Sequence, residues 1–367
     1  MMNERNKNDK LSALGADISG RTYVGSYIQK NENIVRIMVK ELLRKNNVLL
    51  MDLADAVDKL PWVKDYLWRA INPEEDNYVS EVSERKLHGT LLYVPPQTVI
   101  TLPIQLCFFI SESGVKQDVH NVIVLDKYSE ITLNTTCAAI AGAAFHLGIT
   151  EIYVKSNAKL NYVMIHGWSP DTFVRPRTGS IVERGGMLNM YYANLKPVRD
   201  IQACPKIILK ENAVANTISV LLGLDESIIR VGSKIVLDGK GAKGEVLSRA
   251  IAQDESKVIM PAEVDAYYPN TKGHIDCKGL QLSKDSYIES IPILKSFTEG
   301  SELTHEATIG KLSEEGLNYL MSKGFSEEEA VSLLVRGFID VGLKYLPVVV
   351  RPQVEIALNI IAKTAKG

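Results

Sequence analysis

The 367-residue chain has little cysteine, and its four cysteines lie far apart in sequence. No two of them form a CxxC pair, which excludes the usual zinc framework of paired cysteines. Four cysteines in a chain of this length also make a disulfide scaffold implausible. For each thiol the simplest interpretation is therefore a small buried side chain.

The chain also lacks an excess of either charge, with 42 basic and 44 acidic residues. This balance gives no support for binding nucleic acid or an anionic membrane surface. The longest apolar run, Cys137–Ile149, is shorter than the roughly 20 residues of a membrane helix and contains Gly142 and His146. Residues 1–10 are charged, and no apolar segment of the signal-peptide kind follows them. We therefore expect a cytoplasmic protein that contacts neither membrane nor nucleic acid.

The distribution of residue types predicts three parts: an N-terminal helical region over 1–82, a β-rich core over 83–310, and a C-terminal helical domain over 311–367. In the first part, the spacing of Ile34, Ile37, Met38 and Leu42 predicts an amphipathic helix over Asn33–Lys45.

Short strand-like runs alternate with turns through the central part, and helical patterns disappear there. The runs are rich in Val, Ile, Thr and Tyr, as strands prefer. Turn signals recur every 20 to 29 residues, at Lys127, Ser156, Gly185, Asn212 and Gly232. A period of this size without intervening helices favours the stacked coils of a β-solenoid, with a β-sandwich as the alternative.

Helical patterns return near residue 311. Ser326 followed by Glu329 forms a capping box, which predicts a helix continuing over Ala330–Leu346. A last amphipathic helix is predicted after Pro352. These helices could cover the open end of a solenoid or bind a partner.

One glycine motif is a misleading candidate for phosphate binding. Gly239–Gly244 has the GxGxxG spacing, but the residues that follow alternate like a strand. A dinucleotide site requires a helix there, and a P-loop requires Ser or Thr after its lysine. We interpret the motif as a turn between two strands.

Three segments carry candidate functional side chains. Period-two alternation places Cys137 on the same inward face as Ile131 and Leu133, where it is either a buried thiol or a shielded sulfur acceptor. Cys277 follows in a late strand, and His305 and Glu306 lie near the junction with the helices. Thiolate, imidazole and carboxylate are ligand types for iron or zinc. Adjacent residues in a strand point to opposite faces, so His305 and Glu306 could serve one site only at a bend or an interface.

The C-terminal segment Ser301–Phe338 closely resembles the signature of the SufB/SufD family of iron–sulfur assembly scaffolds. It contains a HEAT segment followed by a G-F-S-E-E-E-A helix. Earlier segments are also similar to family motifs: Gly89–Pro95, Thr136–Ala138 with His146, and Gly239–Ser248. The family core is a right-handed parallel β-helix with helical segments at both ends, in agreement with the solenoid pattern.

The resemblance implies an assembly scaffold and not a conventional enzyme, with ATP hydrolysis in a partner. It implies a sulfur-accepting role for Cys137, and ligation of a transient iron–sulfur cluster by Cys277, Glu306 and His305. Implied partners are a SufC-type ABC ATPase, docked near Leu333–Phe338, a cysteine desulfurase system, and a second copy or a SufB/SufD paralogue. Whether reduced flavin also binds stays open.

The chain departs from the family pattern at several places. The family's I-Q-N-W stretch is replaced by Ile165-His166-Gly167-Trp168, which loses polar residues associated with an internal sulfur path. Because Cys277, His305 and Glu306 coexist, one chain could form a self-paired scaffold with both ligand sets. The alternatives are a SufD-like structural partner without its own cluster site, a plain β-solenoid interaction module, and a polysaccharide enzyme, for which clustered carboxylates are missing.

Overall fold

The computed structural model describes residues 11–343 except 13, 15, 18 and 20. For residues 340–343 it describes the backbone but not the side chains. The last helix predicted after Pro352, and the end of the one predicted over Ala330–Leu346, lie outside these residues. The described part is mainly β, with strands in about half of the chain.

In residues 11–343, apart from the four positions left out above, twenty-one strands and five α-helices follow one another. The strands are β1 (Gly25–Lys30), β2 (Asn33–Val39), β3 (Leu49–Asp52), β4 (Thr90–Val94), β5 (Ile104–Ile110), β6 (Lys116–Leu125), β7 (Glu130–Ala139), β8 (Ala144–Val154), β9 (Lys159–Gly167), β10 (Thr172–Val182), β11 (Met187–Asn194), β12 (Asp200–Ala203), β13 (Lys206–Leu209), β14 (Val214–Gly223), β15 (Ile228–Val231), β16 (Ser233–Leu237), β17 (Lys243–Ala252), β18 (Lys257–Ala266), β19 (Lys272–Gln281), β20 (Tyr287–Ser296) and β21 (Glu302–Lys311). The helices are α1 (Glu41–Lys45), α2 (Leu53–Lys59), α3 (Asn77–Ser83), α4 (Glu314–Ser322) and α5 (Glu327–Leu343), with a 3-10 turn at Pro61–Tyr66.

The strands form two sheets, which face each other as the walls of a β-solenoid of about eight turns. Sheet A has the order β2-β1-β5-β7-β9-β11-β14-β17-β19-β21, and all its neighbours except β1 and β2 are parallel. Sheet B runs from β3 and β4 through β6, β8, β10 and the shorter strands to β18 and β20. The predicted solenoid is confirmed, and the sandwich alternative is wrong because strands one coil apart pair in parallel.

The coil repeat is visible in one stacked turn. Each turn carries a residue with a left-handed backbone. Except in the last turn, the amide of this residue donates a hydrogen bond to a carbonyl in the corresponding turn of the next coil. The series is Tyr128, Asn157, Gly185, Asn212, Gly241, Asn270 and Gly300. Asn and Gly tolerate this conformation best, which explains why turn signals in the sequence revealed the period. The GxGxxG segment is one of these turns, between β16 and β17, as predicted.

The main core fills the space between the two sheets. It is built from alternate residues of each strand, for example Ile131 and Leu133 of β7 and Ile275 of β19. A second apolar cluster lies on the outer face of sheet A, where Val331, Val335 and Ile339 of α5 pack beside Leu11 and Leu14. Two further clusters join the outer face of sheet B to the segments around α2 and α3.

The N-terminal region differs from the prediction. The predicted helix over Asn33–Lys45 is wrong, because Asn33–Val39 forms β2 and only Glu41–Lys45 is helical. Three of the four apolar residues spaced for a helix, Ile34, Ile37 and Met38, lie instead on an edge strand, where Ile34 and Ile37 are exposed. Region 1–82 thus contains strands as well as helices, and its division from the core as a separate domain stays a prediction, as does the boundary at 310.

In the part of the chain that the structure describes, α5 packs on sheet A and not over the open end of the solenoid, which was one of the two roles considered for the C-terminal helices. The capping box of α5 is confirmed, since the Ser326 side chain accepts from the Glu329 amide at 3.2 Å and the Glu329 carboxylate accepts from the Ser326 amide at 2.8 Å. The apolar stripe of α5, however, packs on the outer face of sheet A. Apolar residues such as Leu222 and Ile251 are buried there, which stabilises this position of the helix.

Candidate functional site

Cys137 lies in β7 and faces the interior of the solenoid. It belongs to the main core with Ile131 and Leu133, so the predicted inward orientation is confirmed. Burial raises the pKa of its thiol well above the ordinary value, and Cys107 on the neighbouring strand raises it further. The sulfur is therefore a neutral thiol in the closed structure, and a reaction with a sulfur donor requires it to be exposed and deprotonated.

A layer of buried aromatic and imidazole rings lies beside Cys137. The register partner of Cys137 on β9 is His166, whose Nδ1 lies 2.8 Å from the hydroxyl of Tyr192. The indole of Trp168 contacts His166 and His146, with ring centroids 5.0 Å apart in both pairs. Burial lowers the pKa of His146 to about 3 and that of His166 well below its ordinary value, so both rings are neutral.

His166 is a functional candidate that the sequence reasoning missed. We treated it as a departure from the family pattern, because it replaces a glutamine. The structure places it directly beside Cys137 and pairs it with Tyr192, so a polar inner lining is retained with a different residue. The signal available in the sequence was its alternation with Met164, which already predicted an inward side chain.

An internal cavity of about 40 Å³ lies between the Cys137 layer and the late coils. Its hydroxyl-bearing lining includes Tyr162, Tyr192 and Ser219. The Ser219 hydroxyl hydrogen-bonds that of Ser248 at 2.9 Å, and Ser248 is the register partner of Cys277. The cavity therefore has the surroundings of Cys137 on one side and a serine pair leading to Cys277 on the other.

Cys277 lies in β19 with its side chain in the main core and no exposed area. Burial raises the pKa of its thiol, while the hydroxyls of Ser290 and Ser248 oppose this rise. Its register partner on the terminal strand β21 is Ala307, which is exposed. In the described part, the small side chain of Ala307 therefore lies between the sulfur and the open end of the solenoid on the sheet A side.

His305 and Glu306 lie on opposite faces of β21. His305 pairs with the inward Ile275, so it shares the inner face with Cys277, whereas Glu306 pairs with Asp276 on the outer face. Both side chains are exposed, because no further strand of the described part follows β21. Within one chain the structure brings together Cys277 and His305 and directs Glu306 away from them. Accordingly, no group of three potential metal ligands occurs among the described residues.

A buried ion pair holds the backbone next to Cys277. The guanidinium of Arg249, fully buried, donates to the Asp276 carboxylate at 2.6 Å and to the carbonyls of Ser248 and Asp276 at 3.0 and 3.2 Å. Lys278 lies 3.6 Å from the same carboxylate. The contacts of Arg249 join β17 to β19 at the residue that precedes the cysteine, so they restrain its position.

The two remaining cysteines have different surroundings. Cys107 is buried in the cluster on the outer face of sheet A, and burial raises its pKa to about 12. Cys204 follows the end of β12 and is exposed. It borders a surface groove with Arg177 and Arg230.

The exposed faces of the C-terminal helices carry apolar side chains. Tyr319 and Met321 of α4, and Leu333 of α5, are each more than 40% exposed, and Phe325 between the helices is exposed as well. Leu333 begins the segment for which the resemblance implies partner docking. In the described part no helix is long and apolar enough to cross a membrane.

Residues 108–338 match the family model described as "SUF system FeS cluster assembly, SufBD core domain". The chain is 34% identical over 340 residues to an "Iron-sulfur cluster assembly SufBD family protein" of Archaeoglobus fulgidus, covering 92% of this chain and 90% of the relative. A protein of the same description from Methanothermobacter thermautotrophicus is 33% identical, with 92% and 83% covered. A further SufBD family protein, from Pyrococcus horikoshii, is 31% identical, with 93% and 77% covered.

Proposed function

We propose that this chain, which belongs to the SufBD family of SUF-system iron–sulfur cluster assembly proteins, is the scaffold on which a nascent cluster is built. The observation that carries the proposal is the position of Cys277, buried under Ala307 on the inner face of the last coil, with His305 exposed on the same face. A partner that covers this open end would meet a thiol and an imidazole together. The cluster is a cargo here, and weaker ligation than by four thiolates suits its release.

The partner that best completes this site is a second copy or a close paralogue. Glu306 points away from Cys277 in its own chain, so it could join Cys277 only across an interface. A two-fold arrangement would place the same strands of two chains together and supply each ligand set twice. The unpaired edges of β20 and β21 are suited to such an interface, since edge strands readily pair with another chain.

Cys137 is the proposed sulfur acceptor. Its thiolate would attack the terminal sulfur of a donor persulfide. The donor's S–S bond breaks, the donor cysteine leaves as a thiolate, and Cys137 carries the new persulfide. Five strand spacings of about 4.8 Å separate β7 from β19 in sheet A, or roughly 24 Å, which is too far for direct transfer to Cys277.

The proposal includes an ABC-type ATPase of the SufC kind and a cysteine desulfurase system as partners. The exposed apolar residues of α4 and α5 support a docking surface there, and Leu333 is the exposed large apolar residue of the predicted segment. Because Cys137 and Cys277 are both buried, conformational work by an ATPase would have a purpose: it would expose the thiols to sulfur and iron. ATP hydrolysis is assigned to that partner and not to this chain.

The alternative is a structural, SufD-like subunit that pairs with a different scaffold and carries no cluster of its own. The coexistence of Cys277 and Glu306 in one chain favours the scaffold role. In the alternative, Cys277 would be only a core residue, and its replacement would change stability alone.

Anaerobic reconstitution with iron and sulfide tests the proposal, with the chain alone and with a co-expressed ATPase. We expect visible cluster absorbance in the natural chain and its loss in Cys277→Ala, with a cooperative urea transition retained in both. Cys204→Ala is the matched control and should keep the absorbance, since Cys204 is exposed and distant in sheet B. Full absorbance in the folded Cys277→Ala protein would contradict the scaffold role.

A further inference from the structure

A buried arginine clamps neighbouring coils together on the outer face of each sheet. Arg249 of β17 donates to the carbonyl of its preceding residue, and to both the carbonyl and the carboxylate of Asp276 on β19. Arg175 of β10 has the same set of partners, with Asp200 of β12 in place of Asp276. Of these two clamps, only the one at Arg249 adjoins a proposed site residue, since Asp276 precedes Cys277.

Arg249 is buried although it points away from the interior of the solenoid. It lies on the same outer face of β17 as Ile251, and its side chain is only 1% exposed. Its register partner on β14 is Val220, which shares the outer apolar cluster with Val335 of α5. Helix α5 packs on β14 and β17 at this place. The helix therefore shields the pair of Arg249 and Asp276 from water.

This ion pair fixes a position more than it stabilises the fold. The Nε of Arg249 and the Oδ1 of Asp276 are buried, and neither has a hydrogen-bond partner among the described residues. Burying an ion pair costs desolvation energy, and unpaired polar atoms add to that cost, so a neutral pair of similar size would be about as stable. What the ion pair supplies is a fixed register of β17 on β19 at the residue before Cys277.

We propose that Arg249 is a positioning residue that couples the packing of α5 on sheet A to the accessibility of Cys277. With α5 in place, the guanidinium stays dry, holds the backbone of Asp276 and keeps Cys277 buried. When α5 moves off the sheet, water reaches the guanidinium and weakens its bonds to the two carbonyls, because a hydrogen bond contributes far less in water than in a dry site. The pairing of β17 with β19 then loosens at Cys277.

Lys278 gives the carboxylate of Asp276 a second partner for the open state. Its Nζ lies 3.6 Å from the same carboxylate oxygen that Arg249 binds, and its side chain is 36% exposed. Asp276 can therefore exchange a buried partner for a solvated one without becoming an unpaired charge. Two arrangements of one carboxylate allow the clamp to switch.

The role of this coupling in the cell rests on the function proposed above. That proposal places an ATPase on α4 and α5 and requires the buried thiol of Cys277 to become exposed. The clamp connects the two through contiguous contacts, from the helix to the guanidinium of Arg249, and from the guanidinium to the residue before the thiol.

The rate at which iodoacetamide alkylates each cysteine of the folded chain, followed by mass spectrometry, tests the proposal. A buried thiol reacts only during local opening, so its rate reports the opening equilibrium at that residue. Arg249→Met/Asp276→Asn, the pair variant, removes the clamp without leaving an unpaired carboxylate. We expect Cys277 in the pair variant to react about ten-fold faster than in the natural chain, while Cys137 keeps its natural rate.

The clamp in sheet B supplies a matched control. Arg175→Met/Asp200→Asn removes an equivalent buried pair and should leave the rate of Cys277 unchanged. Arg249→Lys keeps the charge but loses the planar fork that binds carbonyl and carboxylate together, so it should raise the rate of Cys277 by an intermediate amount. An unchanged rate of Cys277 in the pair variant would overturn the proposal, as would an equal acceleration of Cys277 and Cys137, which marks global loosening.

A double-mutant cycle tests the connection to α5. Val335 is fully buried, and Val335→Ala weakens the packing of the helix on sheet A. We expect this substitution to accelerate Cys277 about three-fold in the natural chain and to have no further effect in the pair variant, because the clamp that transmits it is gone. Effects that simply multiply would contradict the coupling.

None of these measurements requires iron, a sulfur donor or an ATPase. The coupling can therefore fail while the chain still assembles clusters, and a chain that assembles no cluster can still confirm the coupling.

Discussion

Cys277 and His305 lie on the inner faces of neighbouring strands, β19 and β21, at the last coil of the solenoid. Glu306, next to His305 in sequence, faces outward beside Asp276. This alternation separates the two proposed ligands that are adjacent in the sequence. It makes the proposed cluster site dependent on what covers the open end.

Mixed pairs of variants can determine whether the ligands come from two chains. Cys277→Ala and Glu306→Ala chains, each inactive alone, are co-expressed with different tags and the mixed pair is isolated. If each site takes its cysteine from one copy and its glutamate from the other, the mixed pair has one intact site of two, and we expect about half of the natural cluster content. No recovery in a properly formed mixed pair would mean that the ligands come from the same copy or that Glu306 is not a ligand.

Self-association through the open end should be sensitive to charge there. Ile309 of β21 is 40% exposed and packs beside Gly279 on the inner side of sheet A. We expect Ile309→Arg to convert a dimer to a monomer in sedimentation experiments, because a buried unpaired charge opposes association. Val99→Arg, at a more exposed position far from the last coil, should leave the dimer intact. A natural chain that is monomeric both alone and with the ATPase would contradict the self-paired scaffold.

We expect Glu151 to be essential for the attachment of the segment around residues 68–70 to sheet B. Its buried carboxylate accepts from the amides of Trp68, Arg69 and Ala70 at 2.6 to 2.8 Å and lies 2.9 Å from His120 Nε2. Burial acts to raise the pKa of Glu151, but these hydrogen bonds outweigh it and hold the pKa below 4.5. The stabilisation is thus present above pH 4.5 and is lost as the pH falls through the lower folded-state pKa.

Glu151→Gln should therefore lower the free energy of unfolding by about 2–4 kcal/mol at pH 7, measured by urea denaturation. The difference from the natural chain should shrink on acidification, where the natural carboxyl becomes protonated. Glu130→Gln is the control, because Glu130 pairs with Lys159 at the surface and should contribute less than about 1 kcal/mol. Equal effects of the two substitutions would contradict the fastening role.

His146 should make the protein less stable as the pH falls from 6.5 towards 5. Burial lowers its pKa to about 3, so the unfolded chain binds a proton in this range and the folded chain does not. Each such group costs about 1.4 kcal/mol per pH unit below 6.5, and His166 acts in the same direction. His146→Gln should reduce the slope of unfolding free energy against pH by about one group. An unchanged slope would mean that the ring is protonated in the folded state.

The local pattern of the sequence was enough to predict the architecture and the orientation of Cys137. Turn residues recurred at the coil period, and alternation in β7 placed the thiol with Ile131 and Leu133. The capping box predicted the start of α5 for the same reason, since its contacts lie within four residues. At Asn33–Val39 the pattern failed, because apolar spacing alone does not distinguish an exposed edge strand from an amphipathic helix.

The site depended on contacts that no local pattern contains. Whether Cys277 faces His305 or Glu306 is decided by the register between β19 and β21, and both strands are compatible with either face until the core selects one. Likewise, the pairing of His166 with Tyr192 joins residues from two different coils. Short-range periodicity therefore established the solenoid and its inward thiol, whereas stacking of the coils decided which chemical groups meet and which end stays open.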